Sequence, residues 1–466
     1  MSALRPVLTQ YSLRSWRLLL LAGLFLSACT RLDLGATPAA TVSAQTATPT
    51  AVSVPTSAPT QVPSATPESA VVVYVKDGGL MVWEETSGET HMPLDADDAI
   101  GVTMSDDGQV VAFLRRSIVG DLDSEWHEQS ALWAVDRSGE NPRELVSAEE
   151  LRGQLGASET DSSNVPQMEW IPGTHRLLYS GWTYLVQAEG ESHAIPQGLF
   201  LVDADTLSQT VLVQAGNNLR FLPSPDGRQI ALMSLTGLSF INPDGSGGRH
   251  DLLTYPATGE GAALFPTGIW TADSRAFLIT GFFEQYPGFG SDFAVWQVPV
   301  GGSLPEQLAS IRRSDPRSVT FSPDGESVAF IQYTEEQPAE IAGWFISPLI
   351  PGVGPLAIPP DVEVGYASLH WAPDGRAFTA VTTELCAGAA QDSEVCETPL
   401  NFWGSVAAIR WMDSTRFLFL TRDPSVLFLG TLDPLGIFDA TTVPIVAWPL
   451  EEWVGPHSFT AVNVSH

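Results

Sequence analysis

From about residue 70 onward, short apolar runs alternate with tight polar turns, and the pattern repeats. The clearest copies read SPDGRQIALMS (Ser224 to Ser234), FSPDGESVAFIQY (Phe321 to Tyr333) and WAPDGRAFTAV (Trp371 to Val381). Looser copies are MSDDGQVVAFL (Met104 to Leu114), WIPGTHRLLYS (Trp170 to Ser180), WTADSRAFLIT (Trp270 to Thr280) and WMDSTRFLFLT (Trp411 to Thr421). The residue before the turn falls at Met104, Trp170, Pro223, Trp270, Phe321, Trp371 and Trp411. A period of roughly 50 residues built from short strands indicates a propeller or a similar repeat array. In the turn, proline presets φ, aspartate bonds the local backbone, and glycine accepts the left-handed conformation that closes a hairpin. A third strand follows, as in Leu132 to Asp136, Leu199 to Asp203, Leu238 to Asn242 and Ala294 to Val298. A fourth comes after a polar turn, as in Asp251 to Leu253 or Glu306 to Leu308. Four antiparallel strands per unit make a propeller blade, so the predicted fold class is an all-β propeller.

Seven turns are visible, and Val71 to Val75, Leu80 to Glu84 and Thr90 to Leu94 read as strands two to four of a further blade. Phe459 to Val464 at the C-terminus supplies its first strand. The prediction is eight blades closed by N- and C-terminal strands, which shields the sheet edges. Seven is the alternative, because the unit after Trp371 is short.

The aromatic-x-P-D-G turn followed by an I/V-A-F strand resembles the WD40-like repeats of the TolB family, over roughly Ala70 to His466. Trp170 and Trp411 lack P-D-G, and Pro223 replaces the aromatic. The resemblance implies a propeller. For function it implies several roles: periplasmic adaptors, surface-lipoprotein domains and the gating domains of prolyl-oligopeptidase-like enzymes.

In an up-and-down blade the 1–2 and 3–4 turns share one face, and the 2–3 loops and inter-blade links share the other. The P-D-G turns are short and alike. Length variation falls on the opposite face, in Arg115 to Ser130, Ser147 to Gln167, Gly181 to Gln197, Gly281 to Phe293, Gln332 to Gly343 and Glu384 to Pro399. Insertions on one face of a repeat array mark the binding face. Phe282, Phe283, Tyr286 and Phe289 are candidate anchors for a ligand there, as are Trp182 and Tyr184. The competing reading tucks these rings onto the blade as a local core. Asp121, Asp123, Glu125 and Glu128 have the oxygen chemistry for calcium but no EF-hand pattern, and read as a solvated acidic segment.

The first 28 residues look like an export signal. Arg5, Arg14 and Arg17 precede an apolar run, Leu18 to Phe25, that is too short to span a membrane. Leu26-Ser27-Ala28-Cys29 resembles the bacterial lipobox, which implies lipidation of Cys29 and a membrane-anchored protein of the cell envelope, outside the cytoplasm. Residues 29–69 are rich in Thr, Pro, Ala and Ser and read as a disordered, extended stalk. The propeller then occupies 70–466. With Cys29 lipidated, Cys386 and Cys396 remain as a pair that suits a disulfide in an oxidising compartment.

Net charge is −32, from 22 Lys+Arg against 54 Asp+Glu. That excludes a basic nucleic-acid footprint and disfavours anionic partners. No G-x-S-x-G, H-E-x-x-H, P-loop or dinucleotide fingerprint occurs. No cofactor is implied, and a monomer is expected. The eight histidines are scattered, although a propeller can gather dispersed residues at its axis, which leaves His175 and His370 as candidate ligands against a structural role. Two functions fit. One is a non-catalytic binding module for a protein, glycan or peptidoglycan ligand on the long-loop face. The other is a hydrolase or lyase with a dispersed site at the propeller mouth.

Overall fold

The computed structural model describes residues 69–464 apart from 95, 121–125, 159–160, 187–191, 217–218, 258–264, 284–289, 335–340, 351–354, 358–367, 376, 382–384, 390–405, 423, 433–440 and 450–456. Within them the strands form antiparallel sheets that follow chain order and resolve into eight blades. Blade 1 draws on both ends of this region. Ser69–Lys76, Gly79–Glu84 and Glu89–Leu94 form its middle and outer strands, and Phe459–Val464 pairs antiparallel with Ser69–Lys76 as the inner strand. The closure expected from the sequence is present.

Blades 2, 3, 4 and 8 are four-stranded meanders whose inner strands are Ala99–Met104, Ser162–Trp170, Leu219–Pro223 and Val406–Trp411. Blades 5 and 6 start at Gly268–Trp270 and Thr320–Phe321, and one residue pair, Ser314 with Gln332, joins their sheets. Blade 7 shows three strands among the described residues, Ser368–Trp371, Ala377–Val381 and Leu385–Ala389, in a sheet separate from blade 8. That separation removes the seven-blade alternative.

Each blade is covered on both faces by its neighbours, so the core part of its second strand is buried on both sides rather than alternating. Ala276–Phe282, for instance, is buried at every position. Clusters of side chains join one blade to the next. Phe113 of blade 2 packs in a cluster with Val73 and Leu80 of blade 1, and Tyr179 of blade 3 with Leu114 of blade 2. Phe277 of blade 5 meets Phe240 of blade 4, with ring centroids 6.1 Å apart. The ring closes where Leu418 and Leu429 of blade 8 join Val72 and Tyr74 of blade 1. Burying a residue of this size contributes roughly 1.5–3 kcal/mol.

The turns carry a repeated polar network. In blade 6 the Ser322 hydroxyl donates to Asp324 at 2.6 Å, Asp324 accepts the Glu326 N–H at 2.9 Å, and the Ser322 oxygen accepts the Ser327 N–H at 2.8 Å. Ser224 with Asp226 in blade 4, and Thr271 with Asp273 in blade 5, repeat it. At the end of the inner strand the aromatic residue reaches the preceding blade. The Trp270 indole donates to the Leu222 carbonyl at 3.0 Å, and the Trp411 indole to the His370 carbonyl at 2.9 Å.

Two of the expected loops are continued strands. Val110–Gly120 and Trp126–Asp136 form one long hairpin, and Arg176–Val186 with Ser192–Asp203 form another. Pairing satisfies their backbone groups where an irregular loop would rely on water. The Ser147 to Gln167 insertion contains an α-helix, Ala148–Leu155, that the strand pattern hides. Ser147 and Glu150 form a capping box at its start, and Leu151 and Leu155 are buried.

Candidate functional site

The inner strands line the propeller axis, and their side chains alternate. The terminal residue and the one two before it are buried, as with Met104 and Val102, Trp170 paired with half-buried Met168, and Phe321 and Val319. The penultimate residues Thr103, Glu169, Thr320, His370 and Arg410 line cavities at the axis, whereas Leu222 and Ile269 pack against the clusters between blades. Five blades thus present one side chain each at this level, and two of the five are charged.

A cavity of about 1420 Å³ includes this level on the side of blades 8, 1, 2 and 3. Along the axis, toward the turn face, it is lined by Gln167, Glu169, Ile409 and Arg410. Its mouth carries Asp97, Asp98, Arg116, Ile118, Glu128 and His457. Strand direction sets which face the mouth opens on. Ala99–Met104 runs from the inter-blade link toward the Ser105–Gly108 turn, so Asp97 and Asp98 lie on the face of the links and 2–3 hairpins. This is the face that the insertions mark in the sequence.

Glu169 and Arg410 both line the cavity, and both are exposed to the solvent of the channel. Burial pushes the Glu169 carboxyl above its usual range, with Arg410 and Gln167 opposing and Asp106 adding to the rise. Burial likewise pulls Arg410 down, against the charge of Glu169. The Arg410 guanidinium makes no hydrogen bond or ion pair with a described residue. At the mouth Arg115 holds Asp98 at 2.9 Å, and Arg116 lies 3.6 Å from Glu128. Among the described residues no group of His, Cys, Asp and Glu is arranged to hold a metal ion.

The residues named from the sequence separate. Phe282 is buried in the cluster between blades 5 and 6, as in the local-core reading, while Phe283 is 52% exposed. Trp182 is half-buried within a strand, and Tyr184 lies on the same strand. The side chain of Tyr184, Tyr286 and Phe289, and the residues Cys29 and Cys396 fall outside what is described, as does the side chain of Cys386 on Leu385–Ala389. His370 is at the channel, and burial pushes its pKa down to about 4, so it is neutral. A smaller cavity of about 350 Å³ lies beside it among Pro323, Trp371, Pro373 and Trp411 on the turn face.

His175 is not at the axis. It bridges blades 2 and 3, with Nε2 3.1 Å from Asp107 and Nδ1 3.0 Å from Asp205. Burial lowers its pKa, but the hydrogen bonds and charges of the two carboxylates outweigh that, and the net shift is upward.

Glu169 and Arg410 were not singled out in the sequence. The signal that could have found them is a charged side chain immediately before the aromatic that precedes the turn, where other copies carry Thr, Leu or Ile.

No protein-family model and no curated protein matches the chain. Among solved structures, a crystal structure of the eukaryotic initiation factor is similar at TM-score 0.50 and 12% identity, over 82% of this chain and 85% of that one. The β-propeller domain of the Trilobed protease from Pyrococcus furiosus aligns at TM-score 0.44 and 13% identity, over 76% and 98%. Prolyl oligopeptidase B from Galerina marginata aligns at TM-score 0.47 and 10% identity, over 75% of this chain and 50% of that one. At such identities the likeness concerns fold alone, and the fold is a β-propeller.

Proposed function

We propose that this chain is a non-catalytic binding propeller of the cell envelope, tethered through lipid on Cys29 and a Thr/Pro/Ala/Ser-rich stalk, with the axial channel as its ligand site. The observation that carries this reading is the cavity of about 1420 Å³, which is lined from Asp97 and Ile118 on the hairpin face to Glu169 and Arg410 along the axis. A concave site with few convergent polar groups is what a recognition pocket requires. The net charge of −32 favours neutral or cationic partners, such as a protein or a glycan without acidic sugars. A photoreactive residue in place of Ile118 at the mouth tests it, against one in place of Pro373 on the turn face. Capture of ligand at the mouth alone supports the reading, and capture at the turn face alone overturns it.

A hydrolase or lyase is the second reading. It is favoured by one observation, a carboxyl at Glu169 whose pKa is raised in an enclosed channel, as a general acid requires. Turnover of a captured ligand that stops in Glu169→Gln would select it.

A further inference from the structure

We propose that the axial channel binds the free C-terminus of a basic peptide end-on, with Arg410 taking the terminal carboxylate and Asp97 a cationic side chain about six residues upstream. This rests on the channel being the ligand site and names what that site takes.

Three features carry it. Arg410 lines the cavity at the axis, is open to the solvent of the channel, and its guanidinium has no hydrogen bond or ion pair with a described residue. A guanidinium presents its donors as a planar fork that matches both oxygens of a carboxylate. Attraction between charges is also stronger in an enclosed site than at an open surface. Glu169 opposes such a ligand, but burial already disfavours its charged form.

The second feature is the rim. Asp98 and Glu128 have Arg115 and Arg116 beside them, whereas Asp97 makes no ion pair with a described residue and is exposed. The third is depth. The inner strand of blade 2 runs from the mouth to Thr103, which lies at the level of Glu169 and Arg410 in the repeat. At about 3.3 Å per residue in the strand from Ala99, Asp97 stands at most about 20 Å above that level, the reach of no more than about six extended residues.

The alternatives fit less well. A polyuronate or nucleic acid carries negative charge along its whole length and would be repelled at the rim. A small molecule underfills the space, since such sites hold roughly 300–1,000 Å³. A peptide concentrates one anion at its end and can carry cations elsewhere.

The test uses fluorescence anisotropy with the purified full-length chain. The probes are a dye-labelled octapeptide of alanine and glycine with one lysine six residues from a free C-terminus, the same peptide amidated, and a version with norleucine for lysine. The free acid should bind about 10- to 100-fold tighter than the amide. Arg410→Gln should abolish that ratio, Arg410→Lys should keep part of it, and Glu169→Gln should widen it. Asp97→Asn should erase the preference for lysine. A melting temperature close to that of the parent shows that each variant has folded. Equal binding of acid and amide overturns the proposal, as does an Arg410→Gln chain that still discriminates. Tighter binding of an oligouronate than of the peptide overturns it too. If no peptide binds while the Ile118 position still captures ligand, the peptide proposal falls and the binding reading survives. If that position captures nothing, both fall.

Discussion

Arg416 is the side chain on which closure of the ring can be tested. It projects from blade 8 to Glu85 of blade 1, to Asp413 in its own turn at 2.6 Å, and to Asn463 on the C-terminal strand at 3.0 Å. Its side chain is 14% exposed, and those of Glu85 and Asp413 are 32% and 28% exposed. Arg416→Met keeps most of the aliphatic stem and leaves two half-buried carboxylates without their shared cation. Breaking a fully buried pair costs about 3–5 kcal/mol. An exposed pair contributes about 0–1 kcal/mol. Discounted for this exposure, the expected loss is about 2 kcal/mol. The loss should be local to the seam, so hydrogen exchange is the suitable assay. Amides of Ser69–Lys76 and Phe459–Val464 should lose about 30-fold in protection, at 1.4 kcal/mol per tenfold, while those of blade 4 stay unchanged. The effect should also depend on pH. Burial raises the Asp413 pKa, but bonds from the Thr415 and Arg416 backbone, together with the Arg416 side chain and its charge, outweigh that and hold it below the usual range. A depressed carboxyl stabilises the fold above its unfolded value of about 3.9, and that stabilisation is lost as pH falls through the lower folded value. Parent and variant should therefore converge in acid. Unchanged protection at neutral pH, or equal loss in every blade, would refute the seam argument.

The indole latches give an internally controlled pair. Trp270→Phe removes a bond to the Leu222 carbonyl and should lower stability by about 1 kcal/mol, whereas Trp170→Phe removes a buried N–H that has no acceptor among the described residues and should be neutral or stabilising in a thermal melt. His175, with its raised pKa, should pin blades 2 and 3 fully below about pH 6.5 and release them as pH rises through the folded value, followed by its imidazole NMR shifts. A pH-independent gap between the melting temperatures of the parent and His175→Ala would contradict this. Phe282→Ala should cost about 3–5 kcal/mol by emptying a core site, while Phe283→Ala should leave the melt within about 0.5 kcal/mol.

Much of the fold was legible because its information is local and repeated. The S/T-x-D turn closes a hairpin from its own side chains, so Ser322, Asp324 and Ser327 predict the turn without reference to the rest of the chain. The period of those turns narrowed the number of blades to eight or seven. The apolar stretches at both ends of the repeat region, Val71 to Val75 and Phe459 to Val464, were short of partners until paired with each other, which is how the closure could be expected. The aromatic loop was harder. Phe282 and Phe283 are adjacent and chemically equal, and only the packing against Phe293 and Ile311 puts one in the core and leaves the other in water. The helix at Ala148–Leu155 was signalled by Ser147 and Glu150, but its few turns were lost among strands. The candidate site was the least legible part. Glu169 and Arg410 stand far apart in sequence, and each is an unremarkable charge before an aromatic residue. The sequence by itself determined that blades form and how the ring closes, because turns and apolar alternation act over a few residues, and it left seven or eight blades for the sheets to decide. Only the tertiary structure decided which of the many charges face the axis, because enclosure and mutual field arise when strands from different blades are brought to one level.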